Sequence, residues 1–185
     1  MTQDPLATRD LRLATLAGGC FWCLEAVFQP LKGVTRVVSG YIGGQVPRPS
    51  YEAVCTGMTG HAEAVQITFA PAQISDRTLL ELFFAFHDPT TLNRQGPDVG
   101  SQYRSAIYTH DASQEKEARA IVKKLSDNDT FGAKIVTEIV PAPEFYPAEQ
   151  YHQQYYERNS RQPYCQAMVA PKVVTLRSRF AELLA

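Results

Sequence analysis

Apolar residues along this chain switch between two spacings, and the switches mark its elements. Leu11, Leu13 and Leu16, with small residues between them, predict a strand that Gly18-Gly19 breaks. From Cys20 the spacing lengthens to the helical interval, with Cys20, Leu24, Val27, Phe28 and Leu31 on one stripe. Gln29-Pro30 and Lys32-Gly33 end that helix. Val34 to Tyr41 is rich in β-branched residues and predicts a strand, followed by a loop with Gly43-Gly44, Pro47 and Pro49. Val65, Ile67 and Phe69 alternate with Gln66 and Thr68, the pattern of a half-buried strand. Ser75 caps a helix with Leu79, Leu82, Phe83 and Phe86 inward.

The rest reads the same way. Asp88 to Gly100 is a polar loop, and Tyr103 to Tyr108 a strand. Asp111 or Ser113 opens a helix with Ala118, Ile121, Val122 and Leu125 inward, and Ile135 to Val140 is a further strand. Tyr151 to Glu157 is a short helix and Val173 to Leu184 a last one. Strands sometimes follow one another and sometimes alternate with helices. That order predicts one α+β domain over 1–185, an open mixed sheet covered by helices with a ferredoxin-like core. Residues 1–10 are expected to be a loose lead-in, and 159–172, with little apolar periodicity, a mobile C-terminal segment.

Composition narrows the function classes. With 44% hydrophobic and 20% charged residues the chain is not a disordered one. Eighteen basic residues against nineteen acidic ones give a net charge of −1, which excludes a general electrostatic grip on nucleic acid or anionic lipid. The longest uncharged runs, Leu13–Leu24 and Ala64–Ser75, fall short of the ~20 apolar residues a spanning helix needs. Asp4, Arg9, Asp10 and Arg12 interrupt any secretory leader, so a cytoplasmic protein is expected. Four cysteines are too few for a disulfide scaffold and leave filler or chemistry as their use.

Chemistry is densest at Gly18-Gly19-Cys20-Phe21-Trp22-Cys23, where a strand turns into a helix. The first turn of a helix has unpaired N–H groups and a positive dipole end, which favour a thiolate at Cys20 and predict a lowered pKa. The alternative is that Cys20 belongs to the core stripe. Phe21 and Trp22 lie off the stripe and are expected to be partly exposed unless a ligand covers them. Cys20 and Cys23 also match a thioredoxin-like redox pair. They could supply two zinc ligands with Cys55, His61 or His87, but no second C-x-x-C or close His pair supports a metal site.

Glu63 shares the parity of Val65, Ile67 and Phe69. If the strand reaches back to it, its carboxyl faces the core and is held protonated, as a general acid requires. If the strand begins at Ala64, Glu63 is solvated, and parity leaves both readings open. Tyr51 and Tyr103 are candidate donors to a ligand oxygen.

These residues resemble a known family, the A-type peptide methionine sulfoxide reductases. The resemblance rests on Gly19-Cys20-Phe21-Trp22, Ser50-Tyr51-Glu52 and Thr59-Gly60-His61-Ala62-Glu63. It continues through Leu92 to Asp98, Gly100 to Ser105 and Tyr151-His152-Gln153, in one order from about Leu13 to Cys165. It implies that Cys20 attacks the sulfoxide sulfur, that Glu63 protonates the oxygen, and that Tyr51 and Tyr103 bind it. Phe21 and Trp22 would wall in the S-methyl group, with Asp98 and His152 binding substrate nearby. Cys165 would resolve the oxidised Cys20; Cys23 is not part of the resemblance, but its place one helical turn from Cys20 makes it a candidate auxiliary thiol in recycling. The implied activity is reduction of the S epimer of methionine sulfoxide, free and in proteins; the chain itself is expected to be a monomer. Thioredoxin is the implied partner, and no metal or organic cofactor is implied.

The sequence departs from the family where Cys23 stands and in Asn159 to Cys165, which lacks a glycine usual before the resolving cysteine. A dithiol oxidoreductase using Cys20 and Cys23, or a non-catalytic reader of oxidised methionine, are the competing readings.

Overall fold

The computed structural model describes residues 10–185, so the expected lead-in lies, Asp10 apart, outside the described residues. In order the elements are β1 (Arg12–Gly18), α1 (Phe21–Phe28), β2 (Val34–Ile42), α2 (Tyr51–Cys55), β3 (Ala62–Phe69) and α3 (Asp76–Ala85). A small hairpin follows, β4 (Arg94–Gln95) with β5 (Asp98–Val99), then β6 (Ser105–Thr109), α4 (Ala112–Asp127), β7 (Glu138–Pro141) and β8 (Phe145–Pro147). Last come α5 (Tyr155–Asn159) and α6 (Ala170–Arg179).

The main sheet runs β7-β6-β1-β3-β2-β8. Among the described residues only β6 and β7 pair in parallel; the other neighbours are antiparallel. Its four central strands, with α1 and α3 between them in sequence, follow the β-α-β-β-α-β order of the ferredoxin-like core. The expected α+β class and open mixed sheet are therefore observed. Among the described residues no helix is long and apolar enough to cross a membrane.

Strand parity divides the core. Leu16, Tyr41, Val65, Ile67 and Phe69 face α1, α3 and α6, in one cluster with Leu24, Val27, Leu79, Phe83 and Leu176. Ala17, Ile42, Ala62, Ala64 and Ala106 face the other way into a smaller cluster. Glu63 has the parity of the larger one, and β3 begins at Ala62, so the carboxyl lies on the helix side. Ser75 caps α3 as expected, its Oγ accepting from the Thr78 N–H at 3.1 Å, a contact worth about 1 kcal/mol.

Several boundaries differ from the pattern. Both α2 and β8 are too short to show a period, and neither was expected. Tyr103 ends a short 3-10 turn, Ser101–Tyr103, before β6 starts at Ser105. β7 begins three residues later than expected, at Glu138. The short helix expected at Tyr151 is a 3-10 turn, Gln150–His152, followed by α5. The last helix starts at Ala170 rather than Val173, because Pro171 fits its first turn. A π-helical turn, Cys165–Val169, leads into it, so much of 159–172 is helical.

Candidate active site

Gly18 ends β1 and Cys20 is the N-cap of α1, with extended backbone at φ −61° and ψ 127°. Gly19 makes this tight entry possible. Its φ is +93°, and a Cβ there would lie 2.6 Å from the Gln95 side chain. The Cys23 N–H donates to the Cys20 carbonyl at 3.1 Å, closing the first turn. Cys20 is 8% exposed.

Glu63 is 1% exposed, and its Oε2 accepts the Phe21 N–H at 3.1 Å. The open reading of its strand is settled in favour of the core. Burial raises its carboxyl to about 8, against the Phe21 N–H, which favours the charged form. At neutral pH Glu63 is therefore mostly an acid, with Oε1 free to carry the proton.

Cys20 contradicts the expectation of a lowered pKa. Burial raises its thiol well above the ordinary value, and the Cys23 hydrogen bond and the Glu63 charge add to this. The Trp22 N–H opposes them and does not win. Cys23 is lowered instead, chiefly because it accepts from the Cys20 thiol. The helix start supplies donors, but desolvation in a closed site outweighs them.

Aromatic rings surround this pair. Phe21 is wholly buried, against the expectation of partial exposure, with Tyr41 at 5.8 Å, Tyr51 at 6.5 Å and His152 at 5.2 Å between ring centroids. Trp22 is half-buried; Tyr155 stacks on it at 3.7 Å and 5°, and Tyr164 meets it edge-on at 5.7 Å. The Trp22 Nε1–H donates to His152 Nδ1 at 3.1 Å. That bond leaves the His152 proton on Nε2, where it has no partner among the described residues although the residue is 2% exposed. Burial lowers the His152 pKa and keeps the ring neutral.

Tyr51 opens α2, and Tyr103 ends its 3-10 turn. Burial raises both hydroxyls, followed at Tyr51 by its hydrogen bond to Cys55 and at Tyr103 by the Glu63 charge, so both remain donors. Asp98, in the small hairpin, accepts the Tyr164 hydroxyl at 2.6 Å.

Cys165 is fully buried, and burial raises its thiol, with the Cys23 charge next. Cys23 contacts Cys20 on one side and the turn that carries Cys165 on another. It hydrogen-bonds to Cys20, and its Sγ is 3.9 Å from the Met168 carbonyl in the turn that carries Cys165. All four cysteines are free thiols, and Cys55 is exposed at the end of α2. Among the described residues no group of three or more His, Cys, Asp or Glu could hold a metal ion. His61 is instead a loop staple: its Nδ1 accepts the Gly44 N–H at 3.0 Å and its Nε2 lies 2.7 Å from the Val46 carbonyl.

Sequence reasoning missed Tyr41, Glu149, Tyr155 and Tyr164. Tyr164 had a signal, adjacency to Cys165; Tyr41 had none, since it stands opposite Glu63 only in the register of the folded sheet. Glu149 had none, since its partners are far away in sequence.

The family profile described as peptide methionine sulfoxide reductase matches residues 12–184. Curated relatives named peptide methionine sulfoxide reductase MsrA include that of Deinococcus radiodurans, 58% identical over 92% of this chain and 83% of its own. Another, from Polynucleobacter asymbioticus, is 56% identical over 95% of this chain and 92% of its own. Among solved structures, reduced Mxr1 from Saccharomyces cerevisiae superposes with a TM-score of 0.80 at 36% identity, covering 90% of this chain and 94% of that one. Mxr1 in complex with Trx2 matches with a TM-score of 0.57 at 29% identity, over 84% of this chain and 89% of that one.

Proposed function

The chain belongs to the peptide methionine sulfoxide reductase family, and from that premise we propose how its residues divide the work. A sulfoxide carries a polar oxygen and an apolar methyl on one sulfur. Tyr51 and Tyr103 hydrogen-bond the oxygen, and Phe21 and Trp22 enclose the methyl. Asp98 and His152 bind the substrate around it, the free Nε2–H of His152 being a donor ready for it. Only the S epimer meets both walls at once, whether in free methionine or in a protein.

Cys20 attacks the sulfur as Glu63 gives its proton to the oxygen, and the proton of the Cys20 thiol passes to the Glu63 carboxylate left behind. Methionine leaves, and the oxygen ends on Cys20 as a sulfenic acid. Cys165 then resolves it: the new S–S bond releases that oxygen as water, and Cys23 is an auxiliary thiol. Thioredoxin reduces the disulfide and completes the cycle, a role supported by the solved complex of Mxr1 with Trx2. The reading places the reaction in a monomer in the cytoplasm and needs no metal or organic cofactor.

The observation that carries this reading is the buried Glu63 carboxyl, bonded to the Phe21 N–H and protonated at neutral pH beside Cys20. A dithiol oxidoreductase has no use for such an acid. The test is turnover of a racemic methionine sulfoxide peptide with thioredoxin, its reductase and NADPH. Consumption of half the substrate, with the R epimer left, is expected. Full consumption would refute the fixed methyl and oxygen walls; binding without turnover would mean a reader, not an enzyme.

A further inference from the structure

Glu149 takes no part in the chemistry above, yet it joins three segments of the site. Its Oε1 accepts the Tyr41 hydroxyl at 2.9 Å. Its Oε2 accepts the Tyr51 backbone N–H at 3.1 Å and the Tyr151 hydroxyl at 3.0 Å. Its own carbonyl accepts the His152 N–H at 3.0 Å. Partial burial alone would raise its carboxyl, but its own backbone N–H and the donors of Tyr41, Tyr51 and Tyr151 outweigh that and hold it below the ordinary value. Glu149 is thus a carboxylate at neutral pH, unlike Glu63.

The geometry matters most for Tyr51. α2 is five residues long and has little helical stability of its own. Its start is fixed by Ser50, whose Oγ accepts the Ala53 N–H, and by Glu149 on the Tyr51 N–H. Phe21 and His152 then hold the ring, with centroids at 6.5 and 4.3 Å. The same carboxylate holds Tyr41, which packs on Phe21 and pairs in register with Glu63. Anchor, ring and acid are therefore parts of one frame.

We propose that Glu149 is a positioning residue that sets the Tyr51 hydroxyl for the sulfoxide oxygen. The proposal rests on Tyr51 as an oxygen donor. Glu149→Gln keeps the shape but removes the charge and leaves one acceptor, so it can accept from the Tyr41 hydroxyl or from the Tyr51 N–H but not from both.

The experiment is a double-mutant cycle in single turnover without reductant, reading the amplitude and rate of methionine release. Amplitude counts folded, competent sites, and rate reports their geometry. With full amplitude, Glu149→Gln is expected to slow release about tenfold in wild type and less than about twofold in Tyr51→Phe. Equal slowing in both backgrounds, or none in wild type, overturns the proposal. A Tyr51→Phe rate equal to wild type removes the donor role itself and the proposal with it. A slow Tyr51→Phe with an unchanged Glu149→Gln removes only the positioning role. Should Glu149→Gln lose amplitude, Glu149→Asp, which keeps both oxygens, is read in the same cycle and must show the same dependence on Tyr51.

Discussion

Glu63→Gln removes one ionisable proton from the site and leaves the side chain its size. The structure assigns the wild-type carboxyl a value of about 8 against an ordinary 4.5, with burial the main cause. A carboxyl raised in the folded state contributes stability that is fully present below pH 4.5 and is lost as pH rises towards about 8. At pH 7 the unfolded chain has gained two and a half pH units of ionisation that the folded chain refuses, about 3 kcal/mol at 1.4 kcal/mol per unit. Glutamine has no such dependence. Relative to wild type, Glu63→Gln should gain about 3 kcal/mol between pH 4.5 and pH 7, or roughly 6–12 °C in Tm for a chain of this size. Its rate should fall by about 10²–10⁴, the usual worth of a general acid. Stability and activity thus move in opposite directions. Urea unfolding of both proteins at the two pH values checks the first, and thioredoxin-coupled turnover of an S-sulfoxide peptide the second. An equal stability difference at both pH values refutes the buried-acid argument, and a rate within tenfold of wild type refutes the role in proton transfer.

Three further outcomes follow from the same site. Cys20→Ser should abolish reduction with the fold kept, judged by circular dichroism; activity above about a few per cent would move the nucleophile elsewhere. Wild-type kcat/KM should fall as pH rises through about 8, where Glu63 loses its proton, and a rate flat to pH 9.5 would contradict an acid with that value. Cys165→Ser should release about one methionine per chain without reductant and then stall with thioredoxin, while mass mapping of oxidised wild type should show mainly Cys20–Cys165. Normal turnover of Cys165→Ser, with a Cys20–Cys23 bridge, would transfer the resolving role to Cys23.

The sequence carried the frame of this molecule because its central elements are long enough to repeat. β3 and α3 announce themselves by period, and Gly18-Gly19 before Cys20 marks a forced turn whose +93° at Gly19 bears it out. Parity left Glu63 open between the core and solvent, and the start of β3 at Ala62 decided for the core. Short pieces escaped. α2 has five residues and β8 three, and each is held by neighbours rather than by a pattern of its own. Tyr103 looked like strand because it runs into β6, but Gly100 starts a turn there. The sign of the Cys20 shift could not be read either, since a sequence shows a helix start but not how completely water is excluded from it. Glu149 was invisible for a related reason: it lies 98 residues from Tyr51 and 108 from Tyr41, and only the folded sheet brings them together.

The π-helical turn ahead of α6 carries a mechanical consequence. The Ala170 N–H reaches back to the Cys165 carbonyl, so this turn holds one residue more than an α-helical turn would. If the turn closes to the α register, everything on its N-terminal side rotates by about 100° around the axis, the angle of one residue. Cys165 stands at that N-terminal edge. α6 behind it is docked through the buried Val173 and Leu176, so a change of register would fall on the Cys165 side of the turn. The surplus residue is thus one residue of slack between a buried thiol and a docked helix.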